Sequence, residues 1–340
     1  MSKRKRTWLG VIIVLAVAAV VALSRPPRPV RIDADIQVGE EVSIPSPSGN
    51  LTGSLLRPAP AAGPAPAVVM ITGSGSYSYR KALQPEPPTH WKSAAEAFLD
   101  KGWMVLFLEK RGVNGSTGSW ARQSFADRAD DAIAGVRYLR ARPDIDPIRV
   151  GLCGHSQGGW IVQLAAALYP EDVAFVVSLA GPNISVRQQI VDDLVNEWRC
   201  RGTNENSILK KEKRLRLKLG LYAGVSRLIK IGYLSRIINY DPVNVGARIR
   251  CPVLALYGEY DTLVLPETNI PLLRAGLESG GNAEARIVII TGAGHGFHVL
   301  PGKCPDWDKL KETIAPEFGA ALHDWDPFAG GQPVPGRPLP

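Results

Sequence analysis

The sequence predicts an α/β fold, a mostly parallel sheet flanked by helices, with an inserted helical cap. Three observations predict it. Short apolar runs bounded by turn residues alternate with longer stretches of helical spacing. A hairpin pattern precedes the alternation, and one interval of about sixty residues, Asn183 to Asp241, interrupts it.

Glu41–Ser46 and Leu51–Arg57 flank Ser48-Gly49-Asn50, a hairpin signal that makes the entry to the sheet antiparallel. The buried runs that follow are Ala67–Thr72, Met104–Glu109, Arg149–Cys153, Ala174–Ala180, Val253–Tyr257 and Ala285–Thr291. Between them Trp91–Lys101, Phe125–Arg142, Gly159–Leu168 and Thr268–Ser279 have helical spacing. Strand-helix repeats of this kind cross over with one hand and place helices on both sheet faces. Residues 41–182 and 242–326 form this core, and 183–241 reads as a helical cap over the carboxyl edge of the sheet, where open α/β folds bind ligands.

The ends are set apart. Lys3-Arg4-Lys5-Arg6 precedes Trp8 to Leu23, sixteen residues without a charge, and Ser24-Arg25-Pro26-Pro27 then stops any helix. Residues 1–24 read as an export segment, either an uncleaved signal anchor or a signal peptide. Ala22 and Ser24 suit a cleavage site, whereas the unbroken Val/Ile/Ala run suits a bilayer. The basic run keeps the amino end cytoplasmic, so the rest is expected outside, membrane-anchored or periplasmic or secreted. Residues 25–40 read as a linker, and the Pro/Gly-rich residues 327–340 as a disordered tail.

Composition narrows the classes. In 340 residues, hydrophobic 45% and charged 21% allow a sizeable core, which excludes a disordered chain and a disulfide-stapled mini-domain. Cys153, Cys200, Cys251 and Cys304 lie far apart without a CxxC, so no metal site is expected. The net charge of +8 is uneven: residues 201–250 hold twelve Lys/Arg against Glu205, Glu212 and Asp241. Such a run is either a solvated helix face or, with leucines among the lysines of Leu209–Leu221, a surface for anionic lipid. No aromatic residues interleave the lysines, so nucleic acid is not an expected partner.

The chemistry centres on Gly154-His155-Ser156-Gln157-Gly158-Gly159, directly after a strand and before an apolar helix. A strand-to-helix turn this sharp strains the serine backbone, and glycines on either side let it close. The motif alone is weak; its context and the order of its partners raise it above a glycine-rich turn with an N-cap serine. A serine hydroxyl needs a base and a group that orients the base. His90 precedes a helix, His155 points away from the Ser156 oxygen, His323 is near the tail, and His298 is expected to pack or cap a turn. His295, in Gly292-Ala293-Gly294-His295-Gly296-Phe297, remains, its flanking glycines giving the ring freedom to reach Ser156. Asp261 in Gly258-Glu259-Tyr260-Asp261 is the expected acid, with Glu259 as its rival. The order Ser156, Asp261, His295 follows the chain order of one triad class. A tetrahedral intermediate needs two backbone donors: the Gln157 N–H supplies one, and Ser74 in Thr72-Gly73-Ser74-Gly75-Ser76 the other, with Gly75 as the alternative.

Together these residues resemble the α/β-hydrolase superfamily of serine hydrolases over about residues 41–326. Gly73-Ser74-Gly75, Glu109-Lys110-Arg111-Gly112-Val113 with Ser116-Thr117-Gly118, and the Ser156 motif look like its bacterial esterase and peptidase-like branch. That branch typically has a proline and acidic residues where this chain has Ser76–Arg80, aspartate where it has Glu109, and glycine where it has Asn114. The resemblance implies hydrolysis of a small-molecule acyl ester through an acyl-enzyme on Ser156, with no cofactor. Peptidase, acyltransferase and thioesterase chemistry use the same triad, and an idle hydrolase fold acting as a tethered binding module is the rival of another class. If the base keeps an ordinary pKa near ~6.5, the rate is expected to fall near pH 6–7. Export would permit a bridge between Cys200, in the cap, and Cys304, beyond the histidine loop, with Cys153 and Cys251 buried as thiols.

Overall fold

The computed structural model describes residues 39–47, 49–59, 63–78, 83, 89–305 and 313–329. The expected export segment, nearly all of the linker and most of the tail lie outside the described residues. Among the described residues no helix is long and apolar enough to cross a membrane.

Eight strands form one sheet: β1 (Glu40–Ser46), β2 (Gly49–Leu56), β3 (Ala65–Ile71), β4 (Met104–Leu108), β5 (Ile145–His155), β6 (Val176–Leu179), β7 (Val253–Gly258) and β8 (Ala285–Ile290). Their spatial order is β1-β2-β4-β3-β5-β6-β7-β8. β1 pairs with β2, and β2 with β4, antiparallel; the other five pairs are parallel. Burial follows position. β1, at the edge, alternates buried Val42 and Ile44 with exposed neighbours, whereas every residue of β4, β6 and β7 is buried, as a strand covered on both faces requires.

Helix α1 (His90–Asp100) follows β3, α2 (Phe125–Arg140) follows β4 and α3 (Gln157–Leu168) follows β5. The start of α2 is fixed by a reciprocal cap, in which Ser124 Oγ accepts the Asp127 N–H and the Asp127 carboxylate accepts the Ser124 N–H. The hairpin, strands and four helices stand where the spacing predicts them, with ends shifted by a few residues.

Three helices lie between β6 and β7: α4 (Val186–Cys200), α5 (Glu205–Leu228) and the single turn α6 (Leu234–Ile237). After β7 come α7 (Pro266–Ser279) and, past β8, α8 (Pro316–His323), a helix that the sequence reading did not single out. Two cores result. On one face Phe125, Val136, Ile161, Val162 and Leu273 bring α2, α3 and α7 together. On the other, Trp91, Phe98, Phe318 and Leu322 do the same for α1 and α8. Val191, Val195 and Ile208 form a small third cluster between α4 and α5.

The strand order reverses between β3 and β5, so the crevice of this sheet opens at their carboxyl ends. Cys200 at the end of α4 is disulfide-bonded to Cys304, while Cys153 and Cys251 are buried free thiols. Burial raises both thiols, Cys251 to about 12. Thiol titration of denatured protein is expected to count two groups per chain without reductant and four after reduction, from the one bridge and two free cysteines. Four groups without reductant would show that the bridge does not form.

Candidate active site

At the end of β5 the chain turns into α3 through Ser156, whose φ of 55° and ψ of −121° leave the regions open to most L-residues. Holding such a residue costs about 1–3 kcal/mol. Two backbone bonds hold it: the Ser156 N–H donates to Leu179 O at 2.8 Å, and the Gly159 N–H to Ser156 O at 2.8 Å. The turn also needs bare backbone around it. A Cβ on Gly154 would stand 2.3 Å from Gly158 O, and one on Gly158 would stand 2.1 Å from Ile71 O at the end of β3. The glycines of the motif are therefore requirements of packing between β3, β5 and α3.

Asp261 and His295 arrive from the loops after β7 and β8. His295 Nδ1 lies 2.8 Å from Asp261 Oδ2, and Asp261 Oδ1 accepts the Leu263 and Val264 N–H groups at 2.8 and 2.9 Å. Asp261 is fully buried, with one carboxylate oxygen against the His295 ring and the other against two backbone N–H groups. Glu259, the rival acid, is engaged elsewhere: its Oε2 accepts the Gly292 N–H at 2.8 Å and braces the histidine loop. That loop is tied rather than free. The Tyr260, Phe297 and Leu300 N–H groups bond to Ala293, Gly294 and Gly292 carbonyls, and a Cβ on Gly294 would stand 2.4 Å from Leu300 Cδ1. Glycine at 294 serves close packing, which corrects the expectation that it frees the ring.

The neighbouring histidines frame His295. His155 Nε2 donates to the His295 carbonyl at 2.8 Å, with the two rings 4.7 Å apart, and the His90 ring lies tilted by 40° with its centroid 4.0 Å from that of His155. Burial holds His155 well below the usual imidazole value, and His90 down at about 3, so both stay neutral. His298 forms a short bridge with Ile314. For His295 itself burial favours the neutral ring, but the charge and hydrogen bond of Asp261, and the charge of Asp193, outweigh it and raise the pKa.

Asp193 comes from the cap. On one face of α4, Gln189 Nε2 donates to the Leu263 carbonyl and Asn196 Nδ2 to the Thr262 carbonyl at 2.9 Å, seating the helix on the acid loop. Asp193 lies between these anchors, takes a 2.6 Å bond from Gln189 and is pushed by burial to about 6.

Under the loop after β3 lie two buried cations. Arg128 of α2 donates to Thr72 O and to Gln157 Oε1, both at 2.7 Å, and the cap residue Tyr233 donates to the same Gln157 oxygen at 2.7 Å. Lys110 Nζ donates to the Gly73 carbonyl and, at 2.6 Å, to the Gly75 carbonyl. Burial and the Arg128 charge depress the Lys110 ammonium, with Glu109 opposing. A trans peptide points its N–H opposite its carbonyl, so these bonds aim the Gly73, Ser74 and Ser76 N–H groups away from the cations. Gly73 stands against the elbow, where its Cβ would be 3.5 Å from Ser156 Cβ.

The chain is matched by two family models, X-Pro dipeptidyl-peptidase (S15 family) over residues 50–206 and BAAT / acyl-CoA thioester hydrolase C terminal over residues 133–301. Among solved structures, Est1E from Butyrivibrio proteoclasticus, seen with bound ferulic acid, superposes with a TM-score of 0.53 at 15% identity, over 83% of this chain and 96% of that one. The chain has the α/β-hydrolase fold. It is 26% identical over 196 residues to an uncharacterized 31.7 kDa protein of Escherichia coli from the traX-finO intergenic region, covering 51% of this chain and 68% of that protein. It is 30% identical over 118 residues to the bifunctional esterase/perhydrolase DCH of Acinetobacter calcoaceticus, covering 32% of this chain and 41% of that protein.

Lys110, Arg128, Asp193 and Tyr233 were not among the residues expected at the site. Lys110 belongs to the Glu109-Lys110-Arg111-Gly112 run, but a lone arginine on a helix and a tyrosine in a cap carry no signal along the chain. The branch departures also resolve into one cluster. Glu109 Oε1 accepts Asn114 Nδ2 at 2.6 Å and Ser78 Oγ, while Asn114 Nδ2 reaches Ser78 Oγ at 2.8 Å. Asn114 makes these bonds from a backbone at φ 44°, a conformation asparagine tolerates better than most residues.

Proposed function

We propose that this α/β-hydrolase cleaves carboxylic esters of small molecules through an acyl-enzyme on Ser156. The observation that carries the reading is the His295 Nδ1 to Asp261 Oδ2 bond of 2.8 Å, with the His295 ring 4.7 Å from that of His155, the chain neighbour of the strained, half-buried Ser156 at the end of β5. Ser156 Oγ attacks the acyl carbon as His295 Nε2 takes its proton. Asp261 keeps the imidazole in that tautomer and stabilises its cation. The Gln157 and Ser74 N–H groups receive the oxyanion, and the alcohol leaves with the proton from His295. Water then attacks the ester with His295 again as base.

Lys110 and Arg128 act here as positioning residues. Arg128 spans the two halves of the oxyanion site, holding Thr72 O on one side and Gln157 on the other. Donors fixed before reaction cost no reorganisation when charge develops. A thioester or amide is the second reading, favoured by the descriptions of the two matching families. The bridge between Cys200 and Cys304 supports the further proposal that the chain is exported, since such bonds persist in oxidising compartments.

Fluorophosphonate labelling of the purified chain is expected to give one adduct that Ser156→Ala abolishes, with p-nitrophenyl, thioester and aminoacyl amide substrates then ranked by kcat/KM. Undiminished labelling of Ser156→Ala would overturn the reading. Arg128→Met is expected to lower kcat about 10–100-fold with KM little changed, somewhat less than loss of an oxyanion donor. Arg128→Lys should recover part of that loss; equal changes in kcat for both, or a change in KM alone, would count against a positioning role.

The acid limb of kcat/KM follows the base, which must be neutral. A raised His295 pKa moves that limb above its ordinary place near ~6.5, so activity is full at higher pH and is lost as pH falls through the raised value. Asp193→Asn removes a charge that favours the imidazolium, so the limb should shift to lower pH. An unmoved or upward-moving limb would show that Asp193 does not act on His295.

A further inference from the structure

The long cap helix α5 carries an exposed face that the catalytic reading does not use. At nearly 36 Å for 24 residues, it is anchored on one side only, by Ile208, Ala223 and Ser226, with Leu215, Leu219 and Tyr222 against its neighbours. On the opposite side Leu217, Leu221, Val225 and Leu228 follow one another at intervals of four, four and three residues, a continuous helical stripe. Leu217 and Leu221 are each 65% exposed, Val225 55% and Leu228 88%, and Ile229 beyond the helix end is 53% exposed. A helix face that only meets water has no use for such a row.

Cations border the stripe. Lys210, Lys213, Arg214 and Lys218 project from the same exposed side toward the amino end, Arg227 from its flank, and all are exposed. Arg216 is paired with Glu212, and Lys211 covers Trp198, but among the described residues no carboxylate pairs with those four. Apolar residues at one end and unneutralised cations at the other fit a surface that is oily beneath and anionic above.

We propose that this face of α5 rests on an anionic lipid bilayer, with Leu217, Leu221, Val225 and Leu228 entering the interface and the flanking cations meeting lipid phosphates. Charge opposes the nearest alternative, since a second copy apposed through this face would bring two sets of cations together. A nucleic acid would leave the leucines without a partner. If residues 1–24 are the export segment expected from Lys3-Arg4-Lys5-Arg6 and the uncharged run Trp8–Leu23, the same bilayer would lie within reach of this face. The inference does not depend on which bond the enzyme cleaves.

The full chain carrying Leu221→Cys, labelled there with a solvatochromic dye, isolates α5 from any other lipid-binding segment, because the native cysteines are bridged or buried. Vesicles containing phosphatidylglycerol are expected to shift the emission to the blue, with little effect from pure phosphatidylcholine. Each replacement of Lys210, Lys213, Arg214 or Lys218 by Gln should raise the lipid needed about fivefold, the equivalent of ~1 kcal/mol per charge at such a surface. In a second variant, Leu217→Ser, Val225→Ser and Leu228→Ser together should abolish the shift, and their exposure leaves the fold intact. An unshifted spectrum overturns the proposal, even if the chain sediments with the vesicles through another segment. A shift that rises with protein concentration without lipid overturns it in favour of self-association.

Discussion

The close approach of β3, β5 and α3 at Ser156 is the constraint on which the rest of the molecule turns. Gly158 lies so near the Ile71 carbonyl, and Gly154 so near Gly158, that no side chain fits at either position. That contact fixes where α3 begins and so aims the Gln157 N–H. It also fixes how near the loop after β3 can come, because Gly73 rests against Ser156 Cβ. The strain at Ser156, about 1–3 kcal/mol, is held by the surrounding sheet bonds and by two cores of buried side chains.

Around that turn, charge is used as scaffolding. Lys110 and Arg128 sit beneath the loop after β3 and bind carbonyls rather than carboxylates, an arrangement that needs acids at a second remove. Glu109 supplies one. Asp131 supplies the other, taking two 2.8 Å bonds from Arg111 and one of 2.6 Å from Gln123. Burial raises the Asp131 carboxyl while Arg111 lowers it, so the arginine offsets the cost of keeping it ionised. Ser78, Glu109 and Asn114 form a separate hydrogen-bonded cluster around the Glu109 carboxylate.

The cap is coupled to the site at three places. Tyr233 bonds to Gln157, α4 seats on the Thr262 and Leu263 carbonyls through Gln189 and Asn196, and the Cys200–Cys304 bridge ties the end of α4 to the chain beyond the histidine loop. A cap held in this way contributes electrostatics as well as shape, through Asp193. Its outward helix α5 is left with cations and leucines facing away from the core.

The strand-helix alternation, the interruption after β6, and the placing of Ser156, Asp261 and His295 just past strand ends were legible along the chain, because each rests on spacing and on residue types at the ends of strands. Spacing could also place Gly158 beside the serine, but not the Ile71 carbonyl that makes it necessary. The choice between Glu259 and Asp261 needed the fold: both follow β7, and only the geometry shows one carboxylate on His295 and the other on the Gly292 N–H. Arg128, Tyr233 and Asp193 reach the site from a helix and a cap well separated from it in sequence, so no local pattern marks them. The pKa of His295 likewise depends on burial and on charges brought from two other segments. Local periodicity and turn chemistry, both written along the chain, are enough to mark most strands and helices and the side chains at strand ends, though not α8. Which carbonyls, carboxylates and cations meet there depends on the folded chain, because hydrogen bonds and charge act through space between residues far apart in sequence.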